Sequence, residues 1–347
     1  AGCWSAHRKE ATDGGHLVSE FLSTLRKVTL HDHLDGALRP ETIIDLAREQ
    51  GYRDLPSTDV AALADWFDQG MPGNSLETYL TTFTHTVSLM QNEEAIRRVT
   101  REWVEDVAAE GVDLGEVRVA PELMTSGGLS LERVVDVITD ELEASGSRLG
   151  VRVGLICCAM RTEDNSRAVA RLVADRVGST VIAFDLAGSE KGGPAVRHKD
   201  AVDLVHQAGG NVTLHAGEGD GVESIRQAVV DCRAHRIGHG VRIVEDIDFS
   251  GPVPRFGEVA HFVHERGVPL EVCPASNLHT GLYPSLVSHP VSVLDDLGFV
   301  VTINPDNRLM SRTTLTREFE GLMAIHGWDE QRVRKMTQNA ITSTFLR

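Results

Sequence analysis

The sequence predicts an α/β fold: a (β/α)8 TIM barrel with a helical insertion between its first and second strands. Three observations carry that expectation: eight short apolar or β-branched runs, amphipathic helical stretches between most of them, and one interval too long for a single helix. The runs cover residues 28–33, 112–120, 151–159, 181–186, 211–215, 236–239, 269–273 and 299–304. Each has the length and β-branched character of a strand buried in a parallel sheet. Between them, 130–144, 166–176, 195–208, 222–232 and 256–266 repeat their apolar residues with helical periodicity. The interval 40–110 breaks this rhythm and reads as an inserted helical cap. In it, Leu76, Tyr79, Leu80 and Phe83 fall at i, i+3, i+4 and i+7, one face of one helix. Such a stripe either packs on the barrel or forms a hydrophobic lid over a site. No internal repeat or Pro/Ser-rich linker divides the chain, so residues 1–347 are expected to form a single domain.

Composition narrows the function classes. The formal charge is −17 and no Lys/Arg cluster appears, which argues against a nucleic-acid partner and disfavours strongly anionic substrates. No run reaches the roughly 18 apolar residues of a membrane span, so no membrane partner is expected. The first twenty positions mix His7, Arg8, Lys9, Glu10 and Asp13 where a secretory signal would be apolar. Five cysteines, at 3, 157, 158, 232 and 273, form no C-x-x-C pair and suggest neither a disulfide framework nor a cysteine metal site. A soluble, non-secreted protein of the reducing cytoplasm is the expectation.

In a barrel enzyme the chemistry sits where strands end. Strand one ends in His31-Asp32-His33, strand five in His215-Ala216-Gly217-Glu218, strand six in Gly238-His239-Gly240, and strand eight in Asn304-Pro305-Asp306-Asn307. Residues i and i+2 of a strand share a face, so His31 and His33 can both reach one metal ion from inside the barrel. Adding His215 and Asp306 gives three nitrogens and an oxygen, a set that suits one Zn2+ per chain and leaves a position for water. Such a metal lowers the pKa of its water toward about 7 and supplies hydroxide at neutral pH. Glu218, three residues past His215, is placed to give and take protons instead of binding metal. His239 is a second polar group that orients the nucleophile.

The ordered set His-Asp-His-Leu-Asp-Gly (31–36), Phe-Asp-Leu-Ala-Gly (184–188), His-Ala-Gly-Glu (215–218), Gly-His-Gly (238–240), Cys-Pro-Ala-Ser-Asn (273–277) and Asn-Pro-Asp-Asn (304–307) resembles the adenosine deaminase family, from about residue 26 to the end. The resemblance implies hydrolytic deamination of adenosine, and of 2′-deoxyadenosine, to inosine and ammonia by attack at C6. It makes His31, His33, His215 and Asp306 the zinc ligands, Glu218 the proton donor to N1, and His239 the residue that positions the hydroxide. It further implies that Gly188 N–H meets N3 of the purine, Asp35 a ribose hydroxyl and Asn307 N7, with His33 bordering the substrate as well. Departures from the family pattern are Asn307 for a common aspartate, Pro305 for Thr or Ser, and Ala275 for a polar residue. An amide can donate to N7 directly, so the Asn307 change is chemically tolerable.

Other readings stay open at this point. A neighbouring branch acting on adenine or modified adenosines tends to carry Glu where this chain has Asp35, which favours a nucleoside here. A two-metal amidohydrolase needs a bridging group at the end of strand four, where Asp185 stands, with Lys191 beyond it in a loop. A catalytically inactive purine-binding relative would usually lack a ligand or the acid, and this chain has them all. Glu218 and Asp220 would make the loop at Gly217, Gly219 and Gly221 repel phosphate, against a nucleotide substrate. His235, His261 and His264 read as solvated, Cys157-Cys158 as core strand, and 191–199 as a surface loop.

Overall fold

The computed structural model describes residues 13–69 and 75–346. Eight strands form one all-parallel sheet in sequence order: β1 (Lys27–His33), β2 (Val112–Val119), β3 (Arg152–Met160), β4 (Val181–Ala187), β5 (Asn211–Ala216), β6 (Arg236–His239), β7 (Leu270–Val272) and β8 (Val301–Ile303). Residues just past β8 close the sheet onto β1. Asn304 Oδ1 accepts the Leu30 N–H at 2.8 Å, the Asp306 N–H donates to His31 O at 3.0 Å, and the His33 N–H donates to Asp306 O at 2.7 Å. Closure and site assembly are therefore the same event: the segment that seals the barrel carries Asp306.

Among the described residues, the interval between β1 and β2 holds five α-helices, Pro40–Gln50, Val60–Gln69, Leu76–Thr81, Phe83–Leu89 and Glu93–Ala109. Pro40 opens the first without wasting an N–H, and Gly51 in the left-handed region stops it. The expected single helix over the apolar stripe is two helices. Thr82 turns its hydroxyl back to Tyr79 O at 2.7 Å, and one helix ends and the next begins there. Helix Glu93–Ala109 buries Ile96, Val99, Trp103 and Val107, each aliphatic side chain contributing about 1.5–3 kcal/mol. Cap residues Ile43, Leu63 and Leu89 share one continuous core with barrel residues such as Val117 and Leu155.

Two boundaries differ from expectation. Phe256 belongs to a short antiparallel ribbon, Ile247–Asp248 with Arg255–Phe256, and the helix begins only at Glu258. Asp246 enforces that start, since its carboxylate accepts the Val259 and Ala260 N–H groups at 2.9 and 2.8 Å. The helix expected over 222–232 is α-helical only through Arg226 and then widens into a π turn, Gln227–Asp231. His264 is packed between the rings of Phe256 and Phe299, at 5.1 and 5.4 Å, and is not the solvated residue expected; His261 is exposed. His235 is exposed too, but its Nδ1 accepts the Val212 N–H at 3.0 Å. Cys157 and Cys158 are buried in β3. Among the described residues, no helix is long and apolar enough to cross a membrane.

Candidate active site

The strand ends converge as their sequence positions require. His31 and His33 point inward, while Asp32 between them points outward and binds Arg308 Nε at 2.6 Å. His31 Nε2 lies 3.2 Å and His33 Nε2 3.3 Å from Asp306 Oδ1, and His33 Nε2 lies 3.2 Å from His215 Nε2. His31, His215, His239 and Asp306 each bring one donor atom within 4.8 Å of the others. His31 Nε2 is buried without a hydrogen-bond partner. Crowded imidazole nitrogens around one carboxylate, with an orphaned nitrogen among them, fit a bound cation of the zinc type.

Carboxylates behind the rings set which nitrogen faces the centre. His31 Nδ1 lies 2.9 Å from Glu271 Oε2, and His215 Nδ1 lies 2.9 Å from Asp185 Oδ2. His31 therefore carries its proton on Nδ1 and turns the lone pair of Nε2 inward, and the Asp185 carboxylate beside His215 Nδ1 favours the same tautomer there. Arg118, fully buried, ties the two carboxylates together at 2.8 Å to Asp185 and 2.7 Å to Glu271. Burial opposes the charge on Asp185, yet His215 and Arg118 hold its carboxyl below the usual range. Asp185, weighed from sequence as a place for a second metal's bridge, is committed to orienting His215.

Glu218 is 7% exposed, and its Oε2 lies 3.5 Å from His239 Nε2. Burial, then the charges of Asp306 and Glu190, push its carboxyl well above the ordinary value, which favours the protonated acid. Burial lowers His239 and leaves it a neutral imidazole. His239 and Asp306 both have φ of 63°, a left-handed backbone uncommon for residues with a side chain and concentrated at functional sites.

The loop bearing Glu218 is held by a residue that sequence reasoning passed over. Glu190, just ahead of the stretch read as a surface loop, is 3% exposed. Its Oε1 accepts the Glu218 and Gly219 N–H groups at 2.8 Å each, and its Oε2 accepts the Gly217 N–H at 2.8 Å and Ser224 Oγ at 2.6 Å. The stretch beyond it is surface only in part, since Ala195 and His198 are buried.

These groups open on a cavity of about 300 Å³. Asp35, Gly188 and Asn307 line it, as do Leu76, Tyr79 and Phe83 of the cap, so the apolar stripe faces the same space as the titratable groups. Burial pushes the Asp35 carboxyl up to about 7. Gly188 takes a φ of 89°, which a side chain would resist. Gly36 leaves room for Asn307, whose Oδ1 would sit 2.1 Å from a Cβ there. Tyr79 departs from the purely apolar lid expected, because its hydroxyl is buried without a partner, as is Ser311 Oγ. No lysine or arginine lines the cavity among the described residues.

Comparison with known proteins bears on this arrangement. The sequence model of the family described as adenosine deaminase matches residues 26–347. The chain is 45% identical over 327 residues to an adenosine deaminase of Mycobacteroides abscessus, covering 92% of this chain and 90% of that protein. It is 45% identical, also over 327 residues, to adenosine deaminase 1 of Streptomyces coelicolor, covering 92% of this chain and 82% of that one. Among solved structures, an adenine deaminase from Arthrobacter aurescens superposes with a TM-score of 0.82 at 27% identity, covering 93% of this chain and 94% of that one.

Proposed function

The chain belongs to the adenosine deaminase family, and from that premise we propose that it hydrolyses adenosine and 2′-deoxyadenosine to the 6-oxo nucleosides and ammonia, with one zinc ion in the site. The observation that carries this reading is the convergence of His31, His33, His215 and Asp306 beside the buried carboxyl of Glu218. Those four residues would hold the metal. Zinc bound there supplies a water acidic enough, with a pKa lowered toward about 7, to act as the nucleophile at neutral pH.

The chain's own groups do the rest. Burial favours the protonated form of Glu218, which gives its proton to purine N1, so the ring takes up electrons as C6 is attacked. The resulting carboxylate then takes the proton of the new C6 hydroxyl and passes it to the amino group, so that the C6–N bond breaks, ammonia leaves and the C6 carbonyl forms. Neutral His239 orients the attacking oxygen. Gly188 N–H is the donor to N3, Asn307 the donor to N7, and Asp35 the partner of a ribose hydroxyl. Leu76, Tyr79 and Phe83 cover the base and exclude water.

A nucleoside is favoured over a nucleotide because, among the described residues, no cationic side chain lines the cavity and Glu218, Asp306 and Asp35 would face a phosphate. Adenine is the second reading, motivated by the adenine deaminase similar in structure. Relative kcat/KM values for adenosine, 2′-deoxyadenosine, adenine and AMP decide between them. We expect the two nucleosides to exceed adenine and AMP by at least about 10²-fold, since a site built to bond a sugar loses that much when the partner is missing. Faster turnover of adenine than adenosine would contradict the nucleoside assignment. The four cysteines among the described residues are free and buried, which suits the reducing cytoplasm as the place of action.

A further inference from the structure

His239 stands as close to the metal-ligand cluster as His31 and His215 do, yet its outer nitrogen meets the opposite kind of partner. At His31 and His215, Nδ1 faces a carboxylate, which only accepts. At His239, Nδ1 lies 3.1 Å from Asn277 Nδ2. Which way the Asn277 amide points follows from a donor that is not in doubt. The Val291 backbone N–H donates to His289 Nδ1 at 3.2 Å, so that nitrogen is an acceptor. His289 is 2% exposed, and burial, with the charge of His326 adding, pushes its pKa down to about 3, so the ring is neutral and its single proton is on Nε2. That N–H lies 3.2 Å from Asn277 Oδ1, which therefore accepts it. The other end of the amide is then the NH₂ group, and it donates to His239 Nδ1. Turning the amide over would set NH₂ against the His289 N–H, two donors with no acceptor between them.

We propose that His289 and Asn277 are positioning residues that lock His239 in the tautomer with its hydrogen on Nε2. Resting on the deaminase reading above, this separates two roles that distance alone leaves equal. A nitrogen carrying hydrogen has no lone pair for a metal, so His239 is kept out of the ligand set and presents an N–H to the attacking oxygen. His31 and His215, with protons drawn to Nδ1, present lone pairs. One cluster of alike rings is thus sorted by the groups behind them. The relay reaches His239 from Val291, at the start of the helix between β7 and β8 (Val291–Asp296), through side chains that do not line the cavity.

The test uses Asn277→Asp, which keeps the shape but leaves only acceptors. The aspartate draws the His239 proton onto Nδ1 and empties Nε2. We expect kcat to fall by about 10²- to 10⁴-fold, the scale on which a wrong histidine tautomer or a lost proton-transfer partner acts. Retention of more than a tenth of wild-type kcat, with wild type active on adenosine, would overturn the proposal while leaving the deaminase reading intact. A second pair guards against simple misfolding. His289→Gln keeps a donor toward Asn277 Oδ1 and should lie within about 5-fold of wild type, whereas His289→Leu should lose at least about 10-fold more. Equal losses in the two would reduce His289 to packing and contradict the relay. Nitrogen-15 NMR of histidine-labelled, zinc-loaded protein reads the tautomer without any turnover. His239 should show a bare Nδ1 and a protonated Nε2 in wild type and the reverse in Asn277→Asp; a bare Nε2 in wild type would refute the proposal whatever the substrate proves to be.

Discussion

His31 Nδ1 sits 2.9 Å from Glu271 Oε2, and the same oxygen accepts Arg118 Nη2 at 2.7 Å. The ligand ring is thus oriented by a carboxylate that is itself anchored. Glu271→Gln should weaken zinc binding about 10- to 100-fold, the usual cost of losing such an outer partner. It should also lower stability, because Arg118 and Arg236 lose a buried counter-charge. Competition against a chromophoric chelator measures the first effect and thermal unfolding the second. Unchanged zinc affinity would mean that Glu271 serves the barrel interior alone.

Glu218→Gln removes the proton donor and leaves the ligand set untouched. Zinc content should stay at one per chain while kcat falls by about 10²- to 10⁴-fold. More than a tenth of wild-type activity in that variant would rule out Glu218 as the acid.

Glu190 gathers three consecutive N–H groups of the Glu218 loop. Glu190→Gln replaces one accepting oxygen by a donor and should loosen that loop, displacing Glu218. A displacement of about 1 Å in such a group costs on the order of 10²-fold in rate, so kcat should drop by about that factor. Faster amide exchange in the peptide that spans residues 217–219 is the accompanying signature, and its absence would show that the loop is held by other contacts.

Glu318 gives a pH prediction. Its carboxyl is 2% exposed, accepts Thr313 Oγ1 at 2.7 Å and the Ala275 N–H at 3.2 Å, and is pushed up to about 8, chiefly by burial. An unfolded glutamate titrates near about 4.3. Between those values the folded chain holds a proton that the unfolded chain has lost, so stability from this group is full below the lower value and is lost as pH rises through the upper one. Glu318→Gln, which mimics the protonated acid, should therefore flatten the decline of Tm across about pH 5 to 8. An identical slope in both proteins would show that Glu318 ionises freely in the fold.

Much of this was legible in the sequence because barrel geometry turns strand ends into a site. The His31-Asp32-His33 alternation placed two rings inside and one carboxylate outside, and the structure keeps that division. The eight strands were visible as β-branched runs, and the cap as an interval no single helix could fill. Most of what escaped was long-range. Glu190 sits in a polar stretch whose sequence looks like surface, and only folding brings it under the Glu218 loop. Arg118, Asp185 and Glu271 meet across the barrel from three strands, a contact that no local pattern announces. The break at Thr82 was missed because apolar periodicity continues through it, while a hydroxyl bonding back to Tyr79 O decides where the helix ends.

The central claim is that a metal held by these strand ends drives adenosine deamination. The direct measurement is the fall in absorbance near the adenosine maximum with purified protein before chelation, after removal of metal, and after one equivalent of zinc is restored. We expect steady conversion of adenosine, its loss in the metal-free protein, and its recovery with zinc. Undiminished conversion by protein shown to be metal-free, or none by protein shown to hold one zinc, would contradict the account.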